Sequence, residues 1–256
     1  MTVSDICTII DSVAPFETQA EFDNSGFLVG SATREVTGIL FALDVTEPVI
    51  DEALSCGANL IVTHHPLMFS PRKSLTDSDY EGRLISRLIR NDLSLIAAHT
   101  NLDQAPGGIN DTLAACCSLL DVTGEGFFRC GILPEPLPAS SFAAWLSDRL
   151  SAPVRLMGPA DAVIRKVGLC SGGGSDEWPQ AENAGCDAFL SGEIKHHHAL
   201  AMADRGIVAF ECGHFATETP GLFALADALQ NALNEIECKI RIFKSEKSAY
   251  CFPSQP

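Results

Sequence analysis

The stretch TGILFALDVTEPVIDEALSCGANLIVTHHP, residues 37–66, contains two apolar runs separated by a segment of mixed polarity. Thr37–Thr46 and Leu60–Thr63 have the composition of buried strands. Between them, Pro48–Cys56 predicts a helix that stops at Gly57. A strand, a helix and a second strand in this order predict a βαβ unit, in which the two strands run parallel.

The same alternation of strands and helices continues on both sides of this unit. Residues 3–13 carry apolar side chains at helical spacing, and Tyr80–Arg90 predicts another helix. Leu93–His99 predicts a third strand, and a Gly-Gly pair opens a helix predicted over residues 107–120. Repeated units of this kind predict an α/β fold with right-handed crossovers.

The second half of the chain also alternates predicted strands and helices. A helix is predicted over Phe142–Leu150, and strands over Val163–Cys170, Ala188–Leu190, Ile207–Phe210 and Lys239–Phe243. Thr219 as N-cap and Pro220 in the first turn predict a helix from that point to about Leu233. The Pro-rich segment Gly131–Ser140 (GILPEPLPAS) is the best candidate for a linker.

Composition and charge limit the class of function. The chain has 33 acidic and 17 basic residues, and its formal net charge is −16. This balance disfavours a nucleic acid polymer or an anionic membrane surface as a partner. No apolar run reaches the ~18 residues that span a bilayer, and the N-terminus does not resemble a signal peptide, so we expect a cytoplasmic protein. The ten cysteines include no C-x-x-C pair and are expected to be reduced thiols.

The histidines carry the main functional signal. All seven fall in three places: His64 and His65 with His99 nearby, the run 196–198, and His214. Imidazole is the commonest neutral metal ligand, so this clustering at predicted strand ends indicates a metal site. At a frayed strand end, His64 and His65 could serve two different metals; a pair of histidines in an exposed loop is the alternative.

Carboxylates accompany these histidines. Asp103 follows His99 and can supply a hard oxygen ligand, although it could equally cap a turn or the following helix. Glu218, four residues after His214, could bridge two cations or complement a helix dipole. Mixed nitrogen and oxygen ligands suit zinc, manganese or iron better than calcium or magnesium. Two such metals favour hydrolytic chemistry.

Six motifs carry a family resemblance over nearly the whole chain. They are EFDNSGFLVG at 21–30, ALDVT at 42–46, THHP at 63–66, AHTNLDQAPGGINDTLA at 98–114, SGEIKHH at 191–197 and GHFATE at 213–218. In their order and spacing they resemble the GTP cyclohydrolase 1 type 2 family, also called the NIF-three-like dinuclear metal centre proteins. One departure is Phe22, where the family often has Trp.

The resemblance implies two divalent metal ions per chain, with zinc, manganese or iron as the candidates. The implied ligands are His64, His65, Asp103, His214 and Glu218. Glu218 is expected to bridge, with His65 and Asp103 completing one metal and His64 and His214 the other. The resemblance also implies a homohexamer with its sites facing an internal cavity.

Two α/β domains are therefore expected, with central mainly parallel or mixed sheets flanked by helices and the metal site in the cleft between them. The N-terminal half is placed at residues 1–126 and the C-terminal half at 127–256. Because His214 and Glu218 must meet the ligands of the first half, the segment from about residue 211 is expected to pack back on it.

The implied function is a dinuclear-metal-dependent hydrolase of a nucleotide or related heterocycle, with GTP cyclohydrolase-type ring opening as the reaction in the family name. His99 or His197 is expected to carry protons, and Lys195 and His196 to contact the substrate; exposed histidines at a helix start are the alternative. The loop CSGGGS at 170–175 could cradle an anion or be a plain turn, and Cys170 is a weaker candidate nucleophile. The alternative function is a non-catalytic metal-binding or metal-handling oligomer, or an interaction scaffold.

Overall fold

The computed structural model describes residues 1–248. Its strands are β1 (Gly26–Val29), β2 (Gly38–Ala42), β3 (Leu60–Thr63), β4 (Ser94–Ala97), β5 (Leu120–Thr123), β6 (Arg129–Pro138), β7 (Arg155–Met157), β8 (Val163–Cys170), β9 (Ala188–Ser191), β10 (Val208–Glu211) and β11 (Arg241–Lys244). Its α-helices are α1 (Val3–Val13), α2 (Glu47–Cys56), α3 (Tyr80–Arg90), α4 (Thr100–Gln104), α5 (Ile109–Cys116), α6 (Ala139–Leu150), α7 (Trp178–Asn183), α8 (His196–Asp204) and α9 (His214–Glu235). Short 3-10 turns lie at Phe16–Thr18 and Ser175–Glu177.

The chain divides into two compact units. Unit 1 contains residues 1–105 and 222–248, and unit 2 contains residues 106–221. Helix α9 crosses this division, so its first turns belong to unit 2 and the remainder to unit 1.

Unit 1 is built on a five-stranded sheet in the order β1-β4-β3-β2-β11. Strands β11, β2, β3 and β4 run parallel, and β1 joins the edge antiparallel to β4. Every residue of β2, β3 and β4 is buried, as expected for parallel strands covered on both faces. Helix α3 contributes Leu84, Ile85 and Leu88 to the core.

Unit 2 is built on a six-stranded mixed sheet in the order β5-β6-β8-β9-β10-β7. Strands β8, β9 and β10 run parallel, whereas β5, β6 and β7 pair antiparallel with their neighbours. Its core brings the aromatic rings of Phe142 and Phe210 together at a centroid distance of 5.1 Å. The expected fold class, α/β with mainly parallel or mixed sheets flanked by helices, is confirmed.

Several element bounds agree with the sequence patterns. The helices at residues 3–13 and 80–90 and the strands at residues 60–63 and 163–170 have the predicted limits. Helix α2 ends where it was expected to, because Gly57 adopts the left-handed conformation (φ 75°) that favours glycine and closes the helix.

The Pro-rich segment is not a linker. Residues 129–138 form β6, which pairs antiparallel with β8 from Arg129 opposite Leu169 to Pro138 opposite Val163. The register of this pairing shifts between Ile132 and Leu137. Pro134 and Pro136 lie in this interval, where the regular ladder is interrupted and their missing N–H groups are tolerated.

Two helix limits also differ from expectation. The helix expected over residues 107–120 ends at Cys116, and Leu120 already begins β5. Helix α9 begins at His214 rather than at Pro220, which lies inside it. A proline in the second turn removes one backbone hydrogen bond, and here the helix continues through it.

The cysteines are thiols throughout the described part of the chain. Nine of them are free, five of these are buried, and the tenth, Cys251, lies outside the described residues. Among residues 1–248, no helix is both long enough and apolar enough to cross a membrane.

Candidate metal centre

Three histidines of unit 1 meet at the carboxyl edge of its parallel sheet. His64 and His65 directly follow β3, and His99 lies just beyond β4, the neighbouring strand. The ring centroid of His64 is 5.1 Å from that of His65 and 5.0 Å from that of His99. One ring nitrogen of each histidine lies within 4.8 Å of the other two, which is close enough for a shared cation. We call these three residues the histidine cluster.

Each imidazole of the histidine cluster is oriented through its Nδ1 atom. Nδ1 of His64 lies 2.8 Å from the carbonyl oxygen of Ala98, which can only accept, so Nδ1 donates. Nδ1 of His65 lies 2.7 Å from Oδ1 of Asp44, and Nδ1 of His99 lies 2.9 Å from Oδ1 of Asp23. A proton held on Nδ1 leaves the lone pair of Nε2 available, which is the usual arrangement of histidines in metal sites.

Asp103 faces Nε2 of His64. Asp103 lies in α4, and its Oδ1 is 3.4 Å from Nε2 of His64, whose side chain is fully buried. Because Nδ1 of His64 carries the proton given to Ala98, a neutral imidazole presents a lone pair on Nε2 towards a carboxylate oxygen. Two such atoms are stable at this separation when a proton or a cation lies between them. The pair therefore fits a metal with nitrogen and oxygen ligands.

Asp23 fixes the position of His99 and of the chain around it. Its Oδ2 accepts hydrogen bonds from the backbone N–H of Thr100 at 3.0 Å and from the hydroxyl of Ser25 at 2.9 Å. Burial by itself would raise the pKa of Asp23, but the hydrogen bonds from His99 and Thr100 hold that pKa well below its usual range. Asp23 is therefore ionised at neutral pH and accepts the hydrogen bond that Nδ1 of His99 donates.

The second set of candidate ligands lies in the first turns of α9. His214 and Glu218 are four residues apart on this helix, and Nε2 of His214 is 3.2 Å from Oε2 of Glu218. Nδ1 of His214 lies 2.9 Å from Oε1 of Glu193. Burial would lower the pKa of His214, but these two carboxylates raise it to about 9. The two carboxylates thus favour a positive charge at this position.

The loop at residues 170–175 packs its backbone against His214 and Glu218. A Cβ atom on Gly172 would collide with Oε1 of Glu218 and lie 3.1 Å from Nε2 of His214. Gly172 also has a positive φ of 53°, so both the space and the backbone favour glycine. Its N–H donates to the hydroxyl of Thr217 at 3.1 Å.

This loop is therefore committed to internal contacts. The N–H of Ser171 donates to Oδ1 of Asn110 at 2.8 Å, and that of Gly174 donates to the carbonyl of Ser171 at 3.0 Å. With the N–H of Gly172 also engaged, three backbone donors of the loop already have internal acceptors, which favours the plain turn over the anion cradle. Cys170 is buried beneath it and packs against Gly174, an environment that does not suit a nucleophile.

The run from Lys195 to His198 lies at the start of α8. Lys195 forms an ion pair with Asp176 at 2.5 Å, and Nδ1 of His198 lies 3.1 Å from the hydroxyl of Ser175. Lys195, His196 and His197 are exposed. Within residues 1–248, this run does not form a group that could hold a metal ion. Its expected contact with substrate and the proton-carrying role of His197 stay predictions.

The sequence patterns missed three carboxylates that orient the histidines. Asp23, Asp44 and Glu193 all lie inside the motifs EFDNSGFLVG, ALDVT and SGEIKHH, but no role was assigned to them. A carboxylate at the end of a strand beside a histidine-bearing strand is the signal that could have identified Asp44.

Comparisons with known proteins show similarity over most of the chain. The family model described as "Duf34/NIF3 (NGG1p interacting factor 3)" matches residues 1–249. A "GTP cyclohydrolase 1 type 2 homolog" of Clostridium perfringens is 32% identical, with 98% of this chain and 100% of that protein covered. A protein of the same name from Streptomyces coelicolor is 34% identical, with 85% and 82% covered. The crystal structure of Staphylococcus aureus protein SA1388 superposes with a TM-score of 0.93 at 28% identity, covering 100% of this chain and 99% of that one.

Proposed function

Because this chain belongs to the Duf34/NIF3 family, we propose that it is a metal-dependent hydrolase acting on a nucleotide or a related heterocycle. Relatives from two bacteria carry the name GTP cyclohydrolase 1 type 2 homolog. Ring opening of guanine is therefore the first reaction to test. We further propose that the working form is a homohexamer, as the family resemblance implies.

We propose His64, His65, Asp103, His214 and Glu218 as the residues that hold two divalent ions. The observation that carries this proposal is the contact between Nε2 of His64 and Oδ1 of Asp103 at 3.4 Å. Nδ1 of the same imidazole is occupied by a carbonyl oxygen, so the ring is arranged for ligation through Nε2. The pairing of His214 with Glu218 supports an equivalent role in unit 2.

The protein's own residues divide into ligands and groups that orient them. When bound, divalent metals would polarise a substrate oxygen and lower the pKa of a bound water. Asp44 holds His65 in one tautomer, and Glu193 contacts Nδ1 of His214. Asp23 keeps a proton on Nδ1 of His99, so Nε2 is the atom of His99 that could accept or give a proton at the substrate. We propose His99 as the proton carrier, with His197 as the alternative.

Metal content and activity measured together test this proposal. The protein is purified with its native metals, metal per chain is measured by plasma mass spectrometry, and formate release from GTP is assayed beside a panel of other nucleotides. We expect about two metals per chain, with metal and activity both reduced in Asp103→Ala and Glu218→Ala. Asp227→Ala is the matched control, because this exposed carboxylate pairs only with Lys244 among the described residues.

Other results of the metal and activity measurements would contradict specific parts of the proposal. Two metals per chain with no turnover of any nucleotide would favour the metal-handling or scaffold function. Less than one metal in the wild type, unchanged in both variants, would refute the metal centre itself. Activity that survives Asp103→Ala would place the chemistry away from the histidine cluster.

A further inference from the structure

An exposed aromatic ring borders the histidine cluster. Phe69 lies in the loop that follows His65, and the residue is 50% exposed to solvent. Its ring centroid is 5.6 Å from that of His99, and the two rings are nearly perpendicular at 79°. An exposed aromatic ring at this position can contact a ligand that approaches the histidine cluster.

The position of Phe69 is fixed relative to His99. Nδ2 of Asn24 donates to the carbonyl oxygen of Met68 at 2.6 Å, and Leu67 is buried. Asn24 directly follows Asp23, the residue that orients His99. The adjacent residues Asp23 and Asn24 therefore hold His99 and the backbone next to Phe69. This fixes the backbone that carries the exposed ring.

Phe69 also lines a cavity of about 290 Å³, together with two basic side chains. Arg72 lines this cavity, but its charge is compensated by Asp79 at 2.7 Å and by Glu81. Lys73 also lines it, and among residues 1–248 it forms no ion pair. In a chain of net charge −16, Lys73 is thus a cation available to an anionic ligand. The volume is near the lower end of ligand pockets and suits the charged part of a nucleotide rather than all of it.

We propose that Phe69 and Lys73 are the residues by which the histidine cluster recognises its substrate. The ring of Phe69 stacks on a planar heterocycle, and the ammonium of Lys73 binds the phosphate attached to it. This inference rests on the proposed function, since it names the groups that would present a nucleotide to that site. It assigns specificity to the loop after His65, a segment that supplies no candidate metal ligand.

Binding of three probes separates the two contacts. GTP, guanosine and tripolyphosphate are titrated calorimetrically into the protein as purified with its metals. Phe69→Leu should weaken GTP and guanosine by about tenfold and leave tripolyphosphate unchanged, whereas Phe69→Trp should retain both. Lys73→Ala should weaken GTP and tripolyphosphate by about tenfold and leave guanosine unchanged, with the difference shrinking in high salt.

Two control variants match these substitutions. Leu75→Ala truncates an apolar side chain of the same loop that is 54% exposed and does not line the cavity. Lys239→Ala removes an exposed lysine just before β11, at the sheet edge opposite to the histidine cluster, because β11 runs parallel to β2 and β3. Neither control should alter binding of any probe.

The outcomes that overturn this inference are distinct from failure of the metal centre. Wild-type affinities in Phe69→Leu and Lys73→Ala, with metal content and turnover intact, would refute the recognition role and leave the proposed function standing. Loss of metal in Phe69→Leu would make Phe69 a structural residue and also refute it. A metal-loaded wild type that binds none of the three probes would exclude nucleotide recognition by this loop.

Discussion

Replacing Gly172 by alanine tests whether the glycine loop positions His214 and Glu218, the proposed metal ligands of unit 2. A Cβ atom at this position would collide with Oε1 of Glu218 and lie 3.1 Å from Nε2 of His214. Glu218 is only 4% exposed, so its carboxylate has little room to move aside. We therefore expect Gly172→Ala to displace Glu218 from its contact with His214 and to weaken metal binding, in addition to any loss of stability.

The effect of Gly172→Ala has two parts: a loss of folding free energy from the backbone conformation, and a loss of metal affinity from the displaced Glu218. Gly172 has φ at +53°, and alanine in that left-handed region costs about 1 kcal/mol of folding free energy. Gly185, with φ at +67° and no atom within 4 Å of an added Cβ, isolates this backbone part. Gly173 has no atom within 4 Å and no positive φ, so Gly173→Ala should be neutral. The site part, displacement of a ligand, should weaken metal affinity by about 10–100-fold.

Denaturant unfolding and metal analysis of the three variants provide the assay. Gly185→Ala should lose about 1 kcal/mol of unfolding free energy and keep its full metal content. Gly172→Ala should lose at least as much stability and also lose metal during dialysis against a weak chelator. If Gly172→Ala retained metal as well as Gly185→Ala does, the packing of the loop against Glu218 would have no functional consequence, and our interpretation would be wrong.

Three further predictions concern the carboxylates and thiols around the core. Asp44→Ala should weaken metal binding by about 10–100-fold, measured by competition with a chromogenic chelator, because His65 loses the acceptor that fixes its tautomer. The pKa of Asp23 is lower in the folded state than its ordinary value of 3.8, so its stabilisation is complete above that value and disappears as the pH falls through the folded-state pKa. Asp23→Asn should therefore be less stable than the wild type at neutral pH and lose less stability on acidification, as followed by urea unfolding. Burial raises the pKa of the Cys117 and Cys212 thiols, so at about pH 8 neither should react with iodoacetamide until the protein is unfolded, which peptide mass spectrometry would show.

Much of the fold could be predicted because its signals are local. The limits of β3 and α3 follow from a short apolar run and from an amphipathic segment that begins at the N-cap Asp79. Gly57 ends α2 through its own backbone conformation. In each case the residues that decide the structure lie inside or beside the element they define.

The predictions of secondary structure were wrong where strand pairing or packing with distant residues outweighs the local sequence preference. The prolines near the middle of β6 favour a linker, but the strand pairs with β8 on both sides of them. Pro220 favours a helix start, but α9 already begins at His214 and places Glu218 one turn further along the same helix. The local cost of a proline inside a strand or helix is here outweighed by the free energy of completing a sheet or burying a helix face.

In the candidate site, the type of ligand could be predicted from local sequence, but the orientation of the imidazoles could not. Clustered histidines indicate metal binding from neighbouring positions alone, and His64 and His65 were identified in this way. The groups that orient the imidazoles lie far away in sequence: Asp44 is separated from His65 by 21 positions, and Asp23 from His99 by 76. Only the pairing of β1 with β4 and of β2 with β3 brings them together. The tautomer that makes Nε2 the ligating atom is thus a property of the folded sheet, and for that reason substitutions at Asp23 or Asp44 should impair the site without removing a ligand.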